Sequence, residues 1–397
     1  MKRYFINDYG LLNAMGNDQQ AVWKNWQKGE SPGMQCSDEF RPGKPCTLGK
    51  VLADLPTLDG VEAKFRSRNN QLLAACYQQI QNEVQHIRQQ VGTKRIGIVL
   101  GSSTSGIHNS EIALAEWLST GERPDWYDFK QQEMGAGAEF LRLYSGLSGP
   151  AFTVSTACSS SANAFASARR LLDLDLCDAV IVGGADSLCQ MTVQGFSALE
   201  SVSDDRCQPF SENRSGINIG EAVALFVLSR EARDKNNVEL YGVGASSDAH
   251  HMSAPEPTGA GAITAISRAL EQSPFTASDV DYMNLHGTAT PLNDAMESRA
   301  VFSLFGDKLA CTSSKSLTGH TLGAAAATEL ALCCLLLQAQ TPIIPAQVWD
   351  GQFDEQLPAI DIVRQARAKP VRLCMSNSFA FGGNNASLIV GRQREYF

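Results

Sequence analysis

The sequence contains no apolar run long enough to cross a bilayer; its greasiest stretch, Leu330 to Leu337, follows an Ala-rich segment and reads as a buried helix. None of its 11 cysteines forms a C-x-x-C pair. They number odd and are scattered singly, apart from the adjacent Cys333 and Cys334, which argues against a disulfide framework or a zinc ribbon and predicts reduced thiols. There is no basic excess either. With Lys+Arg at 33, Asp+Glu at 42 and a net charge of −9, the chain lacks the positive face that nonspecific nucleic-acid binding requires, so an acidic partner would need a local basic patch. The opening MKRYFINDYG carries two basic residues, but Asn7, Asp8 and Tyr9 interrupt what would have to be the apolar core of an export signal, and a cytoplasmic protein is predicted. Low-complexity tails and short-period repeats are also missing.

Common catalytic signatures are absent as well. No G-x-S-x-G elbow or Walker loop occurs, and "GVGASS" (Gly242 to Ser247) lacks the last glycine of a dinucleotide fingerprint. His250 and His251 are adjacent, unlike the i, i+4 pair of a helical zinc site, so no metal is predicted.

What is present is a large soluble core. At 397 residues with 43% hydrophobic content, the chain is long enough for two packed units. Runs rich in Val, Ile and Gly (Ile96 to Gly101, Ala179 to Gly184, Ala222 to Leu228) alternate with helical patterns such as Arg68 to His86 and Ser159 to Leu172, which predicts an α/β fold with a buried sheet. The polar segment SREARDKNN, Ser229 to Asn237, divides the chain near residue 235. Each half holds an Ala-rich helix introduced by a short polar turn, "TACSSSANAFASA" and "TGHTLGAAAATELALCC". A repeated α/β unit would explain this likeness, which is too weak to prove one.

Cys158 stands just ahead of the first of these helices. Aligned peptide dipoles and unpaired N–H groups at a helix N-terminus can lower a thiol's pKa. Taken alone, a single cysteine is more often a small buried hydrophobe. Two of the six histidines change the balance: His286 follows an apolar strand in "NLHGTATPLND", and His320 sits at the mouth of the second Ala-rich helix. Each alone is more often structural, yet together with Cys158 they supply one nucleophile and two imidazoles, the parts needed for thiol catalysis. In "SNSFAFGGNNASLIVG" the pair Gly382 and Gly383 follows two aromatics and can either bring backbone N–H groups close to a ligand or make an ordinary hairpin.

Five segments in order, "GLSGPAFTVSTACSSS", "DAHHMSAPEPTG", "VDYMNLHGTATPLNDAMES", "SSKSLTGHTLGAAAATE" and "NSFAFGGNNASLIVG", resemble the elongating β-ketoacyl-[acyl carrier protein] synthases of the thiolase superfamily. The resemblance implies a thiolase-like α/β fold: two similar halves, 1–235 with the nucleophilic cysteine and 236–397 with both histidines, forming a five-layer αβαβα core. It implies that Cys158 is the acyl-accepting nucleophile, that His286 and His320 assist decarboxylation and condensation, and that Lys315 and Glu329 support them. Phe381 matches the aromatic of the gating loop, whose backbone N–H joins that of Cys158 in an oxyanion hole, with Gly382 and Gly383 beside it. No cofactor is implied beyond the phosphopantetheine of the acyl carrier protein that carries the substrates. A homodimer is usual, and a heterodimer with a related ketosynthase or chain-length factor is the other arrangement.

Family carrier proteins are acidic, and Lys64, Arg66 and Arg68 in "AKFRSRNNQ" match the position of a family docking helix; a solvated helix start is an equally good reading. Several residues depart from the pattern. Ile217 replaces the usual phenylalanine and Ala222 a glycine in "SGINIGEAVA", Ala380 begins a gating loop that usually starts with glycine, and Ala326 replaces a glycine after His320. Ile217 and Ala380 fall where the family borders its acyl pocket, which predicts a specialised synthase for a polyene or another secondary acyl chain, an aryl polyene among them. Two other readings stand against a condensing enzyme. A chain-length-factor-like subunit usually lacks the cysteine that this chain keeps. A degradative thiolase would use a second cysteine in the C-terminal Gly-rich loop, whereas Cys374 precedes that loop and reads as a buried strand residue.

Overall fold

A computed structural model describes residues 2–234, 237–341 and 343–393. The division point predicted near residue 235 lies outside the described residues.

The first half runs β1 (Phe5–Leu12), α1 (Gln19–Lys28), a hairpin of β2 (Met34–Ser37) and β3 (Cys46–Gly49), α2 (Arg68–Val91), β4 (Ile96–Gly101), α3 (Ile107–Thr120), α4 (Ala136–Ser145), β5 (Ala151–Val154), α5 (Ser160–Asp173), β6 (Ala179–Asp186), α6 (Gln190–Ala198) and β7 (Ala222–Ser229). The second runs β8 (Val238–Ser247), α7 (Ala260–Glu271), β9 (Tyr282–Asn284), α8 (Pro291–Phe305), β10 (Ala310–Thr312), α9 (Lys315–Thr318), α10 (Ala325–Gln338), the short pair β11 (Ile343–Ile344) and β12 (Arg367–Ala368), then β13 (Leu373–Phe379) and β14 (Asn384–Gly391).

Ten strands form one sheet in the order β10-β9-β13-β14-β8-β1-β7-β6-β4-β5. The two fives are the same motif. In the order β1-β7-β6-β4-β5 the pairings run antiparallel, antiparallel, parallel, parallel, and β8-β14-β13-β9-β10 repeats that sequence. Among the described residues their strands pair through a short antiparallel contact of β1 with β8, Phe5 opposite Glu239 and Ile6 opposite Val238. The repeated unit that the two Ala-rich helices hinted at is therefore present in the topology.

Helices α5 and α10 touch each other and strands of both fives, α2 and α4 cover the first five from outside, and α7 covers the second with α8 packed on it. This is the five-layer αβαβα arrangement. It explains the sequence texture: β4, β6 and β7 are buried at every position because both faces are covered, so they read as continuous apolar runs. α10 is buried from Ala325 through Leu337, and its apolar character runs all the way round, as a helix between two sheets requires. Small residues let these layers approach. A Cβ on Gly101 would lie 2.3 Å from the Ser161 backbone nitrogen at the start of α5. The N-termini of α5 and α10 thus converge at one place, where the Ala327 N–H donates to Ser161 Oγ at 3.0 Å.

Candidate active site

Cys158 lies in the turn between β5 and α5, two residues before the helix begins. Ala157 before it adopts φ 52°, a left-handed conformation that alanine takes only under constraint and that turns Cys158 toward the cavity. The thiol is 5% exposed, and burial pushes it up to about 11, against the pull of the Lys315 charge and of the backbone N–H groups of Phe381 and of Cys158 itself. The helix N-terminus was expected to lower this pKa. Desolvation outweighs it because the thiol is enclosed by protein, so the group is a neutral thiol at pH 7.

His320 Nε2 stands 2.9 Å from Cys158 Sγ. Its backbone is clamped from both sides: its N–H donates to the Asn218 carbonyl at 2.6 Å and its carbonyl accepts from the Gly220 N–H at 3.0 Å. His286 lies across from it, ring centroids 5.3 Å apart and nearly perpendicular, and one ligating atom from each of Cys158, His286 and His320 falls within 4.8 Å of the others. Burial and the Lys315 charge hold both imidazoles well below the usual histidine range, so both are neutral. Lys315 opens α9, and its ammonium pairs with the Glu329 carboxylate of α10; both side chains are buried. Burial raises Glu329 to about 7 in spite of the lysine.

The segment expected to gate the site follows β13. Gly382 and Gly383 have φ of 80° and 74° and close the β13–β14 hairpin; neither lines the cavity, and the Gly383 N–H donates to the Ala380 carbonyl at 3.0 Å. The Gly382 N–H donates to the Met252 carbonyl, the Asp248 N–H donates to the Gly383 carbonyl, and Asn385 Nδ2 donates to Asp248 Oδ1 at 2.6 Å. The Phe381 ring packs on Phe196 of α6 with centroids 5.4 Å apart. Together these groups enclose a cavity of ≈ 160 Å³ reached by Cys158, His286 and His320 and walled by Phe196, Ile217, Phe379, Ala380 and Phe381, with Thr288, Thr290 and Asn293 on its polar side. Ile217 and Ala380 line this cavity.

Of the three basic residues expected to face a carrier protein, Arg68 points elsewhere. Its guanidinium makes two hydrogen bonds to Glu221, which is 1% exposed and also accepts from the Val51 N–H. Arg66 donates to the Val61 and Asp59 carbonyls from an exposed position, and Lys64 lies 3.4 Å from Glu62 and over the Phe65 ring.

Two carboxylates that sequence reasoning did not single out organise the His286 turn. Glu297 of α8 accepts the His286 N–H at 2.8 Å on one oxygen and the Gly287 N–H at 2.7 Å on the other. Asp294, one helical turn earlier, accepts from the Phe210 and Ala289 N–H groups. Both are buried, which raises them to about 7 and about 6. The signal was in "HGTATPLNDAMES": two acids at i, i+3 just after a histidine-glycine turn share a helix face that can fold back onto that turn. A third, Glu111 of α3, accepts the Gln190 and Met191 N–H groups at 2.8 and 2.7 Å, capping α6 from another helix.

Comparison with known proteins follows this geometry. Residues 47–234 match the model of the β-ketoacyl synthase N-terminal domain, and residues 238–348 that of its C-terminal domain. The 3-oxoacyl-[acyl-carrier-protein] synthase 2 of Staphylococcus aureus (strain COL) is 31% identical over 411 residues, 98% of each chain, and nodulation protein E of Rhizobium meliloti is 30% identical over 403 residues, 98% of each. Among solved structures, one chain of the ketosynthase ApeO in complex with its chain length factor ApeC, from Xenorhabdus doucetiae, superposes with a TM-score of 0.94 at 44% identity over 98% of each chain. A β-ketoacyl synthase from Burkholderia phymatum STM815 gives 0.88 at 26% identity, covering 99% of this chain and 100% of that one.

Proposed function

Because this chain belongs to the β-ketoacyl synthase family, we propose that it catalyses decarboxylative Claisen condensation between an acyl group held on Cys158 and a malonyl group on an acyl carrier protein. The observation that carries this reading is the convergence of Cys158, His286 and His320 on one largely apolar cavity.

In the first half-reaction Cys158 Sγ attacks the thioester carbonyl of the acyl carrier. The Sγ–C bond forms, the pantetheine sulfur leaves, and the thiol proton passes to it with His320 Nε2 as the adjacent relay. The developing oxyanion sits against the N–H groups of Cys158 and Phe381, which already lie against the sulfur. In the second, the malonyl thioester loses CO₂ and its carbonyl oxygen takes up the enolate charge. Neutral imidazoles suit this step: they donate hydrogen bonds to the enolate oxygen without a readily released proton that would quench the carbanion. The carbanion then attacks the acyl-cysteine and releases the thiolate. Burial, helped by the Lys315 charge, keeps the histidines neutral, and Glu329 pairs with Lys315. The reading calls on no cofactor other than the carrier's phosphopantetheine.

The acyl chain is proposed to be a polyene or another secondary chain, on the grounds of Ile217, Ala380 and the aromatic walls at Phe196 and Phe381. Reconstituted elongation with saturated and unsaturated acyl carriers in parallel tests this, and a clear preference for ordinary saturated chains would sink it. The partners are an acyl carrier protein, approaching over Lys64 and Arg66, and a second chain of the same fold, either a copy or a chain-length-factor relative. The edge strand β5 and the exposed Ile112, Leu114, Trp117 and Leu118 of α3 support that pairing.

The main test is mass spectrometry of the intact protein after incubation with a panel of acyl-carrier thioesters, with Cys158→Ala as control. Adducts on the wild type alone support the nucleophile, and their identity reports the chain. No adduct from any donor favours the second reading, a non-catalytic chain-length-factor-like subunit, which the resemblance to a ketosynthase–chain-length-factor complex keeps in view.

A further inference from the structure

We infer that Cys158, His286 and His320 together form a binding site for a thiophilic divalent cation of the Zn²⁺ class, and that this metal competes with acyl groups for the same sulfur. One thiolate and two imidazoles, with the remaining position open to a cavity, make up the donor set of an open zinc site. All three residues are buried and line the same cavity, and among the described residues they are the one such group of three or more.

The geometry is close to what the metal needs. Bond lengths of about 2.3 Å to sulfur and about 2.0 Å to nitrogen put tetrahedral donors roughly 3.5 Å apart. Here one sulfur–nitrogen separation is 2.9 Å and no separation among the three exceeds 4.8 Å, so shifts of about 1 Å, within reach of small side-chain rotations, bring the set to a common centre. The imidazoles are already in the form a metal takes. No group among the described residues hydrogen-bonds Nδ1 of either ring, so neither imidazole is locked into a tautomer that would withhold a lone pair from a metal.

Binding is balanced by one proton. The metal displaces it from the Cys158 thiol to solvent, the two histidines release none, and no electron moves. Two features keep the site reversible and distinguish it from a structural metal. Lys315, whose charge reaches both histidines, opposes a dication, although Glu329 pairs with it. Among the described residues the histidines also have no carboxylate or carbonyl partner on Nδ1 of the kind that strengthens resident zinc sites. Hard cations are excluded because the three donors include no oxygen.

The test uses the intact protein with Co²⁺ as a spectroscopic probe and Zn²⁺ as a competitor. Co²⁺ is expected to give sulfur-to-metal charge-transfer and tetrahedral d–d bands at one equivalent, with release of about one proton. These bands should disappear in Cys158→Ala and on adding Zn²⁺. Zn²⁺ at about ten times its Kd should slow alkylation of Cys158 by iodoacetamide about tenfold, EDTA should restore the rate, and Mg²⁺ should do nothing. Bands that survive Cys158→Ala in folded protein, or alkylation unchanged by Zn²⁺, overturn the inference. Neither readout needs turnover, so a chain that binds Co²⁺ at Cys158 yet accepts no acyl group would sink the proposed condensation and leave the metal site standing.

Discussion

His320 Nε2 lies 2.9 Å from Cys158 Sγ, yet burial holds the thiol near 11 and the imidazole well below its usual range. The resting pair is therefore a neutral thiol beside a neutral imidazole, unlike the thiolate–imidazolium pair of many cysteine enzymes. In the proposed condensation, proton transfer would therefore accompany attack on the acyl thioester and not precede it.

Alkylation of Cys158 should report this directly. A thiol near 11 exposes a thiolate fraction that grows about tenfold per pH unit through the neutral range. The iodoacetamide rate, followed by mass spectrometry of the Cys158 peptide, is expected to climb from pH 7 to 10 without levelling. A plateau below pH 8 would show that the helix N-terminus outweighs burial after all.

Glu297→Gln keeps the shape of the side chain but sets an amide NH₂ against one of the two N–H groups now accepted, those of His286 and Gly287. The turn carrying His286 should shift and condensation fall by about 10², while acylation of Cys158, which does not use that turn, changes little. Equal loss of both half-reactions would argue for general misfolding.

The buried acids also predict a pH dependence of stability. Glu297 and Glu329 rise to about 7 and Asp294 to about 6 on folding, so the native chain holds protons that the unfolded chain has released. Their contribution is complete below pH 4 and lost as pH rises through 6 to 7, offset in part by His286 and His320, which are held neutral in the fold and add stability as pH rises through the unfolded histidine range. Urea midpoints should be higher at pH 5.5 than at pH 8, and Glu297→Gln should flatten the difference. A midpoint rising across that interval would contradict these assignments.

Arg68→Met strands the buried Glu221 carboxylate and should cost about 3 kcal/mol in denaturant unfolding. Arg66→Ala leaves no buried charge and should stay within about 0.5 kcal/mol. If a carrier protein docks here, only Arg66→Ala and Lys64→Ala should weaken its binding while leaving stability intact, as titration with the carrier would show.

Glu111→Ala removes the acceptor for the first N–H groups of α6, whose own N-cap residue Cys189 supplies no side-chain cap. The expected loss is about 1 kcal/mol of stability. Because α6 carries Phe196 against Phe381, acyl-chain preference should also broaden; unchanged preference would show that packing alone positions Phe196.

By itself, the sequence determined the layers and pointed to the candidate reacting groups. Continuous apolar runs such as Ala222 to Leu228 and the mostly apolar α10, whose single acid Glu329 pairs with Lys315, could fold only between covering layers, because no exposed face is left to give them a periodicity. Cys158, His286 and His320 were legible because each sits at a turn beside an apolar element, where a reactive side chain can face a cavity. Tertiary structure alone decided what those groups are chemically. The thiol's pKa depends on how completely the layers enclose it, and helix position in the sequence does not carry that information. It likewise decided that Arg68 turns in to Glu221, that Glu297 reaches back to the His286 turn, and that three donors far apart in the chain come within 4.8 Å. Each of these is a contact made across the fold between residues whose spacing in sequence says nothing of their distance in space.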